Sequence, residues 1–228
     1  MPESRPTALI FAYAAEPDRG SEPGAGWSLI ETVAEVADCI VLGAPEHTAG
    51  VESWLMKNPS APIEYVEISE APLSRLWKWH RIPWFVVYLN WLKRAEREAR
   101  QLLRERSIDL AIHATYSTYW LPSPATELGI TSVWGPVGGG FSTCKELRGI
   151  YNSRGWLSER LDLGAVRLMG LWPKTRRTWR NATQPVVQNR ETLERIGLDQ
   201  NDAPILNHTL FHDQGRLITR EKGCLLYT

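Results

Sequence analysis

The sequence predicts an α/β protein with a doubly wound parallel sheet, and three observations carry that expectation. Short apolar runs alternate along the chain with longer segments of helical periodicity, the pattern of strands joined by crossover helices. The first run, residues 8–14, is apolar enough to read as a buried strand. The glycine-rich and otherwise unusual segments follow the runs directly, where a doubly wound sheet places its ligands.

The predicted strands cover residues 8–14, 39–44, 63–68, 110–114, 131–137 and 185–188. Helices are expected over 27–37, 47–57, 83–106 and 158–181, the last broken or kinked at Pro173, where the ring removes a backbone donor. The loops that begin at Ala15, Thr115 and Gly135 should then share one crevice.

At 228 residues the chain is near the upper size for one hydrophobic core. Its 26 basic and 26 acidic side chains leave no net charge, so no global field draws it to nucleic acid, and no nucleic-acid partner is expected. Cys39, Cys144 and Cys224 form neither a CxxC nor a Cys/His cluster, which argues against a disulfide framework and a zinc site and fits a reducing cytoplasm. The opening apolar run has no basic flank before it and meets Glu16, Pro17 and Asp18 at once, unlike a signal peptide. No window of about twenty apolar residues exists to span a bilayer.

Chemistry concentrates in four places. After the first strand, residues 20–27 read GSEPGAGW and lead into a helix, which places Gly24, Ala25 and Gly26 at a helix amino terminus. Backbone N–H groups there suit an anion, and glycine lets a phosphate approach closely. A strand-to-helix turn without a ligand accounts for the same composition. A dinucleotide fingerprint is the sharper rival, with Glu46 at a tolerable distance for a ribose. Leu29 stands where its third glycine should be and is too large for close helix–strand contact.

Gly138, Gly139 and Gly140 follow the fifth strand and offer bare backbone to the crevice, as a ligand-hugging loop or as a flexible connection. His113 ends the fourth strand, where an imidazole can hydrogen-bond a sugar hydroxyl or phosphate or serve structure alone. Arg216 and Lys222 lie six apart between glycines, a pairing suited to a diphosphate and equally to a solvated turn. Near residue 77 the tryptophans Trp77, Trp79, Trp84 and Trp91 mix with Lys78, Arg81, Lys93 and Arg94. That mixture suits a membrane interface. The placement of Phe85, Leu89, Leu92, Glu96 and Ala99 largely on one helical face suits a helix that simply covers the sheet.

In order along the chain, AYAAEPDRGSEPGAGW, DLAIHATYSTYWLP, GPVGGG and PVVQNRET resemble the retaining glycosyltransferases of family 4, which have the GT-B fold of two facing Rossmann-like domains. The similarity spans roughly residues 7–223. It implies an acceptor-side domain over 1–207 and the start of a nucleotide-sugar-binding domain over 208–228, where GRLITREKG resembles the opening of the second domain. The resemblance further implies that Gly24, Ala25 and Gly26 face the donor diphosphate and that His113 lies near the transferred sugar. By the same resemblance Arg216 and Lys222 clamp the diphosphate; Glu22, Thr115 and Gly138–Gly140 are expected on the loops that line the cleft at the strands' carboxyl ends.

The substrates expected are a nucleotide diphosphate sugar and a saccharide or lipid-linked acceptor, with no cofactor and no metal, in the cytoplasm or peripheral at the inner face of the membrane. The family's second half and its glutamate pair are absent, so this chain alone is not expected to turn over. The last five residues read like a translated sequencing-adapter end, which puts the expected native limit near Gly223. A dinucleotide-dependent oxidoreductase domain and a non-catalytic nucleotide- or sugar-binding module are the alternatives.

Overall fold

The computed structural model describes residues 5–69, 84–140, 149, 153–199 and 201–206. The element order is β1 (Thr7–Phe11), α1 (Ser21–Ala34), β2 (Asp38–Gly43), α2 (Pro45–Lys57), β3 (Ile63–Glu67), α3 (Trp84–Glu105) and β4 (Leu110–His113). A 3-10 turn (Pro124–Glu127), β5 (Thr131–Val137), α4 (Ser153–Gly170), α5 (Pro173–Asn181), β6 (Gln184–Val187) and α6 (Arg190–Ile196) follow. Six parallel strands form one sheet in the order β3-β2-β1-β4-β5-β6. The chain therefore builds outward from β1 in one direction, then returns to β4 and builds in the other. The reversal between β1 and β4 is the topological switch point of a doubly wound, Rossmann-like sheet.

The period of two along each strand sorts the core into two layers. Leu9 and Phe11 of β1 and Ile40 and Leu42 of β2 pack under α3. Ala8, Ile10, Cys39 and Val41 face the other way and meet Trp27 and Ile30 of α1 and Val51 of α2. Because β1 is covered on both faces, its run is apolar throughout. Edge strand β3 instead carries Glu64 and Glu67, and charge on an edge discourages pairing with another chain. A third cluster, with Trp134, Val137, Val187 and Leu193, closes the β5–β6 end. Between α1 and the β4–β6 part of the same sheet face lies an apolar cavity of about 310 Å³, with Leu29 in its wall.

Two helices differ from expectation. The first begins at Ser21, six residues before the predicted start, so Gly24, Ala25 and Gly26 lie inside it. Two glycines and Pro23 lower helix propensity, but tertiary packing overrides it. A Cβ on Gly26 would stand 2.5 Å from both the Ala14 carbonyl oxygen and Thr115 Cγ2, so glycine is what lets α1 seat against the ends of β1 and β4. The close helix–strand contact that Leu29 could not supply is made three residues earlier. The predicted helix over 158–181 is two helices: α4 ends at Gly170, and Pro173 opens α5 at the first-turn position that tolerates its missing donor.

The buried face of α3 carries Val87, Tyr88, Trp91, Leu92, Ala95, Ala99 and Leu102. It is rotated from the predicted one: Phe85, Leu89 and Glu96 sit at its margin. No helix among the described residues is long and apolar enough to cross a membrane.

Candidate functional site

The carboxyl ends of β1 and β4 meet at the switch point, and the loops that leave them are tied to each other and to the first turn of α1. Ala14 N donates to Thr115 Oγ1 at 3.2 Å, and Glu16 N donates to the Pro23 carbonyl at 3.1 Å. The Glu22 carboxylate accepts from Tyr116 N at 2.7 Å, which joins α1 to the loop after β4. All three non-glycine residues with positive φ among those described, Asp18 (57°), Ser21 (57°) and Tyr116 (51°), belong to this junction. Each such conformation costs roughly 1–2 kcal/mol. Strain of this kind concentrates where surrounding structure fixes a functional geometry.

The glycines predicted to hold an anion are placed differently from expectation. Gly24 is the first α1 residue whose N–H has an acceptor within the helix, and Gly26 lies deeper still, buried against Ala14 and Thr115. The backbone donors left without an intrahelical acceptor are those ahead of them, at Gly20, Ser21 and Glu22, Pro23 having no N–H. Gly20 has open space where a side chain would be. The open backbone donors of the helix start thus lie about four residues ahead of the predicted glycines.

His113 stands at the end of β4 as predicted, but only 2% of it is exposed. Its Nε2 lies 2.7 Å from the Tyr88 hydroxyl, which also reaches the Thr115 carbonyl at 3.1 Å. A carbonyl can only accept, so assigning the Tyr88 proton to Thr115 makes Nε2 the protonated nitrogen and leaves Nδ1 as the lone-pair acceptor. Nδ1 is buried without a hydrogen-bond partner. Burial pushes the imidazole pKa down to about 3, so the ring is neutral. Both ring nitrogens are buried, so His113 presents no exposed atom to a ligand and acts on the junction through Tyr88.

Sequence reasoning missed the aromatic wall beside this junction. Tyr13 from the loop after β1 packs edge-on against Tyr88, Trp91 and Tyr116, with ring centroids 5.2–5.7 Å apart. Trp84, at the start of α3, lies 5.6 Å from Tyr116 and 6.4 Å from Trp120. Trp84 is 39% exposed, and Tyr13, Tyr116 and Trp120 are half-buried, so the wall presents ring surface at the mouth of the crevice. The tryptophans were visible in the sequence as one composition shift. Their division was not: Trp91 is core, Trp84 belongs to the wall, and Trp77 and Trp79, with Lys78 and Arg81, fall outside the described residues.

A second unforeseen group braces the loop after β1. Glu16 Oε2 lies 2.9 Å from His47 Nδ1, and Glu16 Oε1 lies 3.0 Å from Arg19 Nε. Glu46 Oε1 is 3.4 Å from the other His47 nitrogen. Burial opposes charge on His47, but hydrogen bonding and attraction from Glu46 and Glu16 outweigh it and raise its pKa. Burial likewise opposes charge on Glu16, yet His47 and Arg19 hold its pKa below the usual value. Glu46 thus serves this brace rather than standing alone in a loop.

The loop at Gly138–Gly140 is neither loose nor bare. Gly138 N donates to the Ser117 carbonyl at 2.9 Å, and Gly140 N donates to Thr192 Oγ1 at 3.1 Å. A Cβ at Gly140 would run into the Thr192 backbone, so the glycine permits the β5 loop to lie against α6. Asn189 caps α6 by accepting from Thr192 N at 2.8 Å. Thr115 and Ser117 are fully buried and serve these ties, so Thr115 reaches the crevice through its neighbours and not through an exposed hydroxyl. Arg216 and Lys222 lie outside the described residues, as do Cys144, Cys224 and the segment 208–228. Cys39 is a buried free thiol whose pKa burial raises to about 11. Among the described residues no cluster of His, Cys, Asp and Glu could hold a metal ion.

Fold and junction together define a doubly wound α/β domain whose crevice lies at the β1/β4 switch point, with a helix start on one side and aromatic rings on the other. Comparison with known proteins adds little beyond that. No family model and no curated protein matches the chain. One similar solved structure is UGT73P12 of Glycyrrhiza uralensis, complexed with glycyrrhetinic acid 3-O-monoglucuronide: 12% identical, TM-score 0.46, covering 86% of this chain and 48% of that one. Another is TcCGT1 in complex with UDP, 13% identical, TM-score 0.44, covering 85% and 46%. The chain spans about half the length of each.

Proposed function

We propose that this chain is the acceptor-side half of a retaining GT-B glycosyltransferase of the family 4 type, which moves a sugar from a nucleotide diphosphate sugar to a saccharide or lipid-linked acceptor hydroxyl. The observation that carries the reading is the junction at the switch point. There the open start of α1 at Gly20 and Ser21, the Glu22–Tyr116 tie and the aromatic wall of Trp84, Tyr116 and Trp120 meet at the carboxyl ends of β1 and β4, where a doubly wound sheet places its ligands. A sugar ring has apolar C–H faces that suit aromatic surface and hydroxyls that need donors and acceptors; the crevice has both kinds of group.

In the reaction we propose, the bond between the sugar's anomeric carbon and the departing diphosphate breaks as the acceptor oxygen bonds the same carbon on the same face. The acceptor's proton passes to an oxygen of the leaving diphosphate. Such a step needs positive electrostatic potential at the leaving group and positioning of the acceptor, with no protein nucleophile. Helix α1 supplies its amino terminus, and Arg216 and Lys222, by the family resemblance, supply the charge. His113, neutral and buried, is a positioning residue in this scheme: it holds Tyr88 beneath the aromatic wall. The segment 208–228, by the same resemblance, would open the donor-binding domain.

Acceptor-dependent release of nucleoside diphosphate by the protein encoded by the whole reading frame tests the proposal, and no release from any nucleotide sugar counts against it. One observation favours a second reading, a dinucleotide-dependent oxidoreductase domain: Gly26 makes the close helix–strand contact that such domains require. Saturable binding of NAD with no affinity for nucleotide sugars would support that alternative.

A further inference from the structure

We propose that α4, continued by the start of α5, is a docking surface for an anionic lipid bilayer. At about 100° per residue, Leu157, Leu161, Gly164 and Leu168 fall on one stripe of α4. The three leucines are 55%, 65% and 71% exposed. The opposite side is the one that meets the protein, through Val166 and Met169. The stripe therefore faces away from the sheet, and three large aliphatic side chains stand in water along one line, where scattered single ones would need no explanation.

Charge says what would cover it. Arg154 flanks the stripe on one side, and Arg160 and Arg167 flank it on the other, all three exposed. The two acids of the helix, Glu159 and Asp162, lie on its other half. Arg160 stacks on the ring of Trp156 with its guanidinium 4.0 Å from the centroid, and Trp156 is itself exposed. Leu171 and Trp172 extend the exposed apolar surface to α5, which adds Lys174, Arg176, Arg177 and Arg180. Residues 153–181 thus carry seven basic and two acidic side chains, a surplus of five in a chain whose total is zero.

An aliphatic stripe between arginine rails, with tryptophans at its ends, matches the two layers of a bilayer surface: acyl chains below and anionic headgroups at the rails. A protein partner would need a groove with acids on both margins. The geometry therefore favours lipid over a second copy of the chain. The proposal does not rest on glycosyl transfer, because its readout is vesicle binding alone.

Flotation of the chain with vesicles of phosphatidylcholine, and with vesicles of equimolar phosphatidylcholine and phosphatidylglycerol, tests it. The unmodified chain should float with the phosphatidylglycerol vesicles, should not float with phosphatidylcholine alone, and should be released by high salt. A basic side chain near an anionic surface strengthens partitioning about five-fold, so the variant with Arg154→Gln, Arg160→Gln and Arg167→Gln should bind on the order of 100-fold more weakly. Replacing Leu157, Leu161 and Leu168 by serine should abolish flotation without changing the circular dichroism spectrum, since none of the three is in the core. The proposal is overturned if the unmodified chain floats with neither vesicle, or if the leucine variant floats as well as the parent. It is also overturned if light scattering finds a dimer that the leucine variant dissociates while neither protein binds vesicles.

Discussion

Replacing Gly26 by alanine separates the helix's own preference from the demands of its seat. In an isolated helix the change is favourable by about 1 kcal/mol. Here the added methyl stands 2.5 Å from the Ala14 carbonyl oxygen and 2.5 Å from Thr115 Cγ2. The first is backbone at the end of β1. The second belongs to a fully buried side chain whose hydroxyl is held by Ala14 N, so neither can swing aside cheaply. Overpacking of this kind costs roughly 1–3 kcal/mol, and a rigid neighbour on both sides puts Gly26 at the upper end. The expected net loss is about 1–2 kcal/mol, or a fall in melting temperature of roughly 2–8 °C for a chain of this size.

Gly164→Ala is the matched control: it lies within α4 with nothing inside 4 Å of its new methyl, so it should stabilise by up to about 1 kcal/mol. Urea unfolding followed by circular dichroism reads both. If Gly26→Ala is as stable as the parent, the seating of α1 against β1 and β4 is wrong.

Glu22→Ala should lower stability by about 1–2 kcal/mol in urea unfolding, because it removes a charged acceptor from Tyr116 N and frees a strained backbone. Tyr88→Phe should cost roughly 1–3 kcal/mol by leaving His113 Nε2 and the Thr115 carbonyl unpaired in the core. His113 should stay neutral from pH 8 to pH 5 by NMR, since its pKa is pressed down to about 3. The unfolded chain takes up that proton near pH 6.5, so His113 costs stability as pH falls below about 6.5.

His47 has the opposite sign: its raised pKa contributes stability fully below about pH 6.5, and the contribution is lost as pH rises through the folded value. Glu16, with its lowered pKa, contributes above about pH 4.3 and fails as pH falls through its folded value. The brace is therefore complete between those limits. His47→Gln should flatten the loss of stability measured from pH 6 to pH 9, and an unchanged slope would remove His47 from the brace.

The sheet was legible because its signal is local and repeated: all six predicted strands form, within about three residues at either end. The switch point followed from their alternation with helices. What the sequence hid depends on contacts between distant segments. The GAG of α1 reads as a loop because glycine weakens helices, and only the approach of Ala14 and Thr115 explains its helical state. His113 was found by its position at a strand end, but its partner, Tyr88, lies 25 residues earlier on a helix whose rotation periodicity alone did not fix. The triple glycine reads as looseness, whereas Ser117 and Thr192 fix it from both sides. The exposed leucines of α4 were invisible as such, because periodicity reports apolar positions and not which face the fold covers.

The central claim is that the crevice between β1 and β4 is the acceptor wall of a sugar-transfer site. Its most direct measurement uses the protein encoded by the whole reading frame, with nucleoside diphosphate release from a panel of nucleotide sugars as the readout, in the parent and in Trp84→Ala. The account predicts acceptor-dependent release with at least one donor, and for Trp84→Ala a KM for acceptor raised about ten-fold while the KM for donor is unchanged, the loss of roughly 1–2 kcal/mol of ring contact. Release that ignores the acceptor, or a Trp84→Ala enzyme with an unaltered acceptor KM, would contradict it.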